Sequence, residues 1–459
     1  SGGMGTDQRC DNGLAPVLDA GMDTRAARAN GTFSFRFSRQ DGEQGLRGLT
    51  ARLPQGLLAS VRDVPLCSNA AANAGSCSAG SRIGTVDAKA GAGDPFVLER
   101  KGEVFLTEGY QGGAYGLAVK VRPIAGPFRG GMELSPIVVR QAIHVDRRTA
   151  QVTAVSDPFP LIHHGVPLRV REVTVSVNRD RFMLNPSDCT AKQVGADIAS
   201  DQGTVSNTVN GFQAAGCKNL AFKPKLGLRL TGRKQVRTGK HPGIRATVTQ
   251  KGIPEAGIEK PQVRLPKSLA LDVDNAQALC EFEDGTRPDL EERCPKGSIV
   301  GRARAVSPLL NDPLVGNVYF VKNVRRSSSG NLIRTLPMIV VALRGEIAVN
   351  LVGESNVKRG KLVNTFDEVP DAPITRFNLN IAGGKNGILA VTRTRKALIN
   401  LCAKPRGHVA EADIDGQNGK RHDRDIRMKT PCAKRNNNRA ANKRKAAKRK
   451  AAAKRRANR

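Results

Sequence analysis

The chain has 459 residues and a formal net charge of +33, from 74 Lys and Arg against 41 Asp and Glu, so it favours polyanionic surroundings. Aromatic residues make up 4% and Trp is absent. This leaves few platforms for stacking sugars and makes the core depend on Val, Leu, Ile and Ala. The longest apolar run, residues 336–343, falls short of the roughly 18 residues that a membrane-crossing helix needs.

Residues 1–12 carry Cys10, and CDNGLAPVLDAG from Cys10 parallels CKNLAFKPKLG from Cys217. Cys10 therefore reads as the last cysteine of an earlier repeat, with residues 1–12 its remnant and any export signal upstream. An unrelated free thiol is the plainer alternative. From residue 13 the text is duplicated. Cys67, Cys77, Cys189 and Cys217 return as Cys280, Cys294, Cys402 and Cys432. ARLPQGL from Ala51 answers VRLPKSL from Val263, GEVFLT from Gly102 answers GNVYFV from Gly316, and Gly84 and Gly301 each follow a cysteine by seven. A period this long means duplicated domains rather than a solenoid, whose units run about 20–50 residues. The boundaries fall near 13–217 and 218–432, a length that suits one large sandwich or two small ones per copy.

Both copies should pair their cysteines alike, and the simplest scheme is local: Cys67 with Cys77, Cys189 with Cys217, Cys280 with Cys294, and Cys402 with Cys432. Zinc sites usually place ligand pairs two to four residues apart, and no such pair occurs here. Disulfides imply an oxidising compartment, hence export.

Strand signals dominate both copies. Val173, Val175 and Val177 alternate with Thr174 and Ser176, and Phe377, Leu379 and Ile381 alternate with Asn378 and Asn380 at the matching place. Period-two alternation describes a strand with one buried face. Further strands are predicted at 32–37, 115–121, 244–249 and 345–352, with Gly and Pro between them. The expected fold is all-β, as tandem antiparallel immunoglobulin-like sandwiches. Short helices are predicted at 67–73 and at its counterpart, 275–279.

The words LPQGLLASVRDVPLC, GYQGGAYGLAV, HVDRRTAQVTAVSDPFP, MLNPSDC, TGKHPGIRATVTQKG and EVPDAPITRFNLNIAGGKNG give the chain its resemblance to a known group. It resembles uncharacterised, exported, β-rich repeat proteins of soil actinobacteria. The resemblance implies export, tandem β-domains and residence at the cell surface, and it brings no activity or functional residue with it.

Duplication also serves as an internal control for chemistry. His144, His163, His164, His241, His408 and His422 have no histidine at the matching place in the other copy, and G-x-S-x-G, H-E-x-x-H and P-loop motifs do not occur. Asp157 and Asp367 do match, but each stands close to a proline in a turn setting, where an Asp caps its own backbone. The most calcium-like stretch, Asp413 to Asp423, has Asn418 where an EF-hand needs Gly, and a hairpin turn through Asn418 and Gly419 is the plainer reading. No catalytic residue, metal site or cofactor is expected.

From Ala433 the composition changes to thirteen Lys and Arg with no acidic residue, which leaves +20 on the rest of the chain. Like charges at i,i+4 oppose helix there, and disorder in isolation is expected. Lys443, Arg444, Lys445, Lys448, Arg449, Lys450, Lys454, Arg455 and Arg456 are the candidate polyanion contacts. Anionic envelope polymers or lipid headgroups are the first expected partners and nucleic acid the second, against a merely solubilising tail. The sequence thus points to a non-enzymatic, exported structural or adhesive surface protein. Its alternatives are a carbohydrate- or polyanion-binding module and, more remotely, an extracellular hydrolase.

Overall fold

The computed structural model describes residues 13–91, 96–97, 101–125, 132–281, 290–326, 329–393 and 397–432. Cys10, the expected repeat remnant and the basic tail with all nine of its candidate contacts lie outside them.

Two large antiparallel sheets carry the fold. The first consists of β1 (Val17–Met22), β2 (Phe33–Ser38), β3 (Leu46–Arg52), β4 (Arg82–Ala90), β5 (Gly102–Thr107), β6 (Tyr115–Val121), β7 (Ile137–Val145), β8 (Val152–Ser156), β9 (Val170–Val177), β10 (Lys192–Ser200) and β11 (Val205–Phe212), together with the two-residue strand Phe96–Val97, which pairs with β4 off the main path. Their order across the sheet is β1-β2-β9-β4-β5-β6-β7-β8-β3-β10-β11. The second sheet consists of β12 (Lys225–Thr231), β13 (Gly243–Thr249), β14 (Ile258–Arg264), β15 (Ile299–Val306), β16 (Leu314–Val321), β17 (Met338–Arg344), β18 (Val349–Lys358), β19 (Lys361–Phe366), β20 (Arg376–Ile381), β21 (Val409–Gly416) and β22 (Arg424–Arg427). Its order is β12-β13-β20-β15-β16-β17-β18-β19-β14-β21-β22. Adding eleven to each number of the first order gives the second, so the repeated words are a repeated topology.

Each sheet folds over on itself, giving a tandem pair of antiparallel sandwiches. In the first, Phe37 of β2 stacks on Phe159, just beyond β8, at 6.1 Å between ring centroids, and Asn210 of β11 donates to the Ala20 carbonyl of β1 at 2.8 Å. In the second, the segment after β22 runs parallel to β12: Leu230 N donates to Lys429 O at 2.8 Å and Lys429 N to Leu228 O at 2.9 Å. Period-two alternation makes this possible. β2 buries Phe33, Phe35 and Phe37, and β10 buries Val194, Ala196 and Ile198, while the residues between them stay more exposed.

The repeated cysteines explain where that alternation breaks down. Cys67 N donates to Leu106 O and Glu108 N to Cys67 O, both at 3.0 Å; Cys280 N donates to Phe320 O and Lys322 N to Cys280 O, at 2.9 and 2.8 Å. Each contact lays a disulfide-clipped loop over the outer face of its sheet. Strands there are covered on both sides and read as nearly continuous apolar runs, as in β5, β16 and β17. The four bridges are Cys67–Cys77, Cys189–Cys217, Cys280–Cys294 and Cys402–Cys432. Gly84 and Gly301 hold equivalent bulge positions in β4 and β15. A Cβ on either would lie 2.3 Å from Ser176 O or 2.1 Å from Asn380 O, so the neighbouring backbone requires glycine at both places.

The structure corrects two expectations of secondary structure. Helix α1 (Asn69–Asn73) forms, with Ser68 accepting from Ala71 N, but residues 275–279 are not helical. Asn275 donates to Gly387 O at 2.7 Å and Gln277 to Asn386 Oδ1 at 2.9 Å, and side-chain partners of this kind compete with a helix. The second helix, α2 (Leu290–Arg293), instead immediately precedes Cys294, whose N–H donates to Leu290 O at 2.9 Å. The strand expected at 345–352 starts only at Val349. Glu346 is held away from the sheet, accepting from Tyr115 OH at 3.0 Å and Asp312 N at 2.7 Å.

Candidate functional site

The two halves meet along a polar and apolar seam. At its centre Arg28 Nη2 lies 2.7 Å from Asp371 Oδ1, with the two side chains only 2% and 6% exposed. The Asp371 carboxylate also accepts from Ser187 N and Ser187 Oγ, each at 2.6 Å, and from Asp188 N at 3.1 Å. Ser187 Oγ in turn accepts from Gly257 N at 2.9 Å. A Cβ at Gly257 would sit 2.6 Å from Asp371 Oδ1, so this approach also needs glycine. Burial lowers the Arg28 pKa, partly offset by Asp371. Elsewhere along the seam Val61 N donates to Leu309 O at 3.0 Å and Asn350 N to Arg147 O at 2.6 Å. Nothing in the local sequence around Arg28 or Asp371 announces this node.

The acidic residues of the calcium-like stretch, their counterpart in the first sheet, and the matched pair Asp157 and Asp367 have structural partners. Asp197 on β10 receives both guanidinium arms of Arg52 on β3, at 2.5 and 2.6 Å. Asp413 on β21 pairs at 2.5 Å with Arg264 on β14, the same two strand positions in the second sheet. Asp415 pairs with Arg421 at 3.0 Å, and Asn418 donates to Cys217 O and Leu220 O in the turn joining β21 to β22. The calcium-like stretch is therefore a hairpin, and no group of three or more His, Cys, Asp or Glu among the described residues is placed to hold a metal ion. Asp157 accepts from Tyr110 OH at 2.7 Å and from Gln111 Nε2 at 3.0 Å instead of capping its turn. The bond to Asp157 raises the Tyr110 pKa. Asp367 pairs with Lys260 at 2.7 Å. His163 and His164 both reach Ser135 Oγ, at 3.4 and 2.7 Å.

These pairs set a pH dependence. The bond from Arg52 holds the Asp197 carboxyl below its ordinary range against desolvation. At Asp188 desolvation opposes ionisation, but Lys192 and Thr190 outweigh it and the net shift is again downward. A folded pKa below the unfolded one gives stability that is present above the unfolded value, about 3.9 for Asp, and lost as pH falls through the folded value. Urea midpoints should therefore hold steady from neutral pH to about 5 and decline below about 4. Arg52→Gln should flatten part of that decline, and an unchanged acid limb would remove the assignment.

Inside the sandwiches lies a cavity of about 450 Å³, lined from both halves and continuous across the seam. Ala154 and Val175 line it from the first sheet and Ile244, Phe377 and Leu379 from the second, and these apolar side chains remain partly exposed. Few polar side chains line the cavity. Ser355 Oγ accepts from Asn364 at 3.0 Å and Ser307 Oγ donates to Pro373 O at 2.9 Å, whereas Gln141 has no side-chain hydrogen bond among the described residues. The cavity is the candidate site. Sequence patterning marks its lining residues as inward-facing, but not that they leave space between them.

No protein-family model and no curated protein matches the sequence. Among solved structures, the chain is similar to a type II cohesin dyad from the adaptor ScaA scaffoldin of Acetivibrio cellulolyticus. The identity is 10%, over 90% of this chain and 97% of that one, with a TM-score of 0.18. It is also similar to a protein of Corynebacterium diphtheriae described as membrane anchored, at 7% identity, over 92% of each chain, with a TM-score of 0.20. At these scores neither likeness bears on fold or function.

Proposed function

We propose that the chain is an exported, non-enzymatic surface module, with residues 13–217 and 218–432 as its two units and the basic segment 433–459 holding it to anionic envelope polymers or lipid headgroups. The observation that carries this reading is the construction of the body: four disulfides staple two equivalent sandwiches, which the buried Arg28–Asp371 pair fastens together. Disulfides on this scale belong to an oxidising compartment, and a stapled two-unit body suits a spacer or adhesive element. Among the described residues, no helix is long and apolar enough to cross a membrane. The charge of +33 makes electrostatic retention the natural means of attachment.

Deletion of residues 433–459 tests the reading, with retention on isolated cell envelopes measured across a salt series. Full-length protein is expected to stay bound at low salt and to elute as salt rises, while the deletion elutes throughout. Equal retention of both forms would overturn the anchoring role. Competition by double-stranded DNA at concentrations where wall polymer has no effect would favour the polyanion-binding alternative with nucleic acid as partner.

A further inference from the structure

We propose that the cavity shared by the two sandwiches is a binding site for one unbranched fatty acyl chain, with Gln141 meeting its polar end. This goes beyond attachment to the envelope and does not depend on it.

Strand number supplies the first argument. A closed sheet of about eight strands is just filled by its own side chains or holds one small ligand, and wider ones need a plug. Here the large sheet of the first unit has twelve strands and that of the second eleven. The two helices, α1 and α2, are not the plug, because they belong to the clipped loops against the outer faces. With aromatics at 4% and no Trp, the inward positions have too little volume to fill the space. Ala154 and Ala246 line it where larger side chains would close it.

Shape and chemistry supply the second. The volume, about 450 Å³, falls within the range of ligand pockets and well above the roughly 150 Å³ that holds benzene. Its lining runs from Phe33 in the first sheet to Ile414 in the second, through Tyr115 and Leu314 at the seam, so both units contribute to it. A lining of Val, Leu, Ile and Phe with so few polar groups suits a hydrocarbon and rejects sugars, nucleotides and peptides, whose buried polar atoms would go unpaired. Gln141 is the exception. On β7 it faces inward between Leu117 of β6 and Ser156 of β8, and its amide can donate to a carboxylate or ester carbonyl. The equivalent place in the second sheet is Gly353, over which the Phe366 ring lies, so the polar group occurs in one half only.

The test uses the whole chain and dansyl-undecanoate as the fluorescent probe, with palmitate as competitor. Saturable binding of one probe per chain, displaced by palmitate but not by glucose or nucleotides, is expected. Ala154→Phe and Ala246→Phe fill the cavity from the two halves. Each should weaken binding by about tenfold or more without lowering the melting temperature, because the added ring enters existing space. Gln141→Leu should weaken palmitate more than hexadecane. Val209→Phe, on an exposed face, should change nothing. The proposal is overturned by non-saturable binding of the wild-type chain, or by unaltered affinity in whichever filling variant folds. Envelope retention is a separate measurement, so either idea can fail without the other.

Discussion

Asp371→Ala is expected to cost about 3–5 kcal/mol of unfolding free energy, the range for breaking a buried ion pair from one side. The substitution strands a guanidinium that is 2% exposed, and it also removes the acceptor for Ser187 N, Ser187 Oγ and Asp188 N. Because these groups come from both halves, the effect should extend beyond the midpoint. Wild-type protein should unfold in urea in one transition, and Asp371→Ala should separate it into two as the sandwiches lose their coupling. Replacing both partners, Arg28→Met with Asp371→Leu, should recover much of the loss, since an apolar pair leaves no orphaned charge. A loss below about 1 kcal/mol, with one transition retained, would show that the node is not what joins the halves.

Reduction of the disulfides should have a larger effect. The bridges close loops with sequence separations of 10, 14, 28 and 30 residues. In the chain-entropy picture the two shorter loops contribute about 3 kcal/mol each and the two longer ones about 3.6. Together they match or exceed the stability of a typical domain, about 5–15 kcal/mol. Fully reduced and alkylated protein is therefore expected to lose its cooperative melt. Cys402→Ser with Cys432→Ser should lower stability more than Cys67→Ser with Cys77→Ser. Circular dichroism melts with and without reductant check both statements, and an unchanged melt after complete reduction would refute them.

Much of the architecture is legible in the sequence because duplication compares one copy with the other. The paired words around Cys67 and Cys280 mark the same clipped loop, and the alternation in 173–177 and 377–381 marks the same strand position. Gly84 and Gly301 recur because one backbone approach recurs. The failures come from long-range contacts. Residues 345–352 alternate like a strand throughout, but Tyr115, 231 residues earlier, holds Glu346 out of the sheet. Arg28 and Asp371 lie 343 residues apart and have no distinctive neighbours, so their meeting depends on how the two sandwiches dock. The cavity is less legible still. A pattern of inward Val and Ala gives the faces of a sheet, whereas the space between the faces depends on how far that sheet curls.

The parallel closure beside β12 has a mechanical consequence. Tension on the chain beyond residue 432 reaches Cys432 first, and its bridge carries the load to Cys402. Strands β21 and β22, which lie inside that covalent loop, are bypassed. The closing hydrogen bonds of Lys429 are then shielded from direct pull, and a tethered molecule would resist force through sulfur rather than through its last strands.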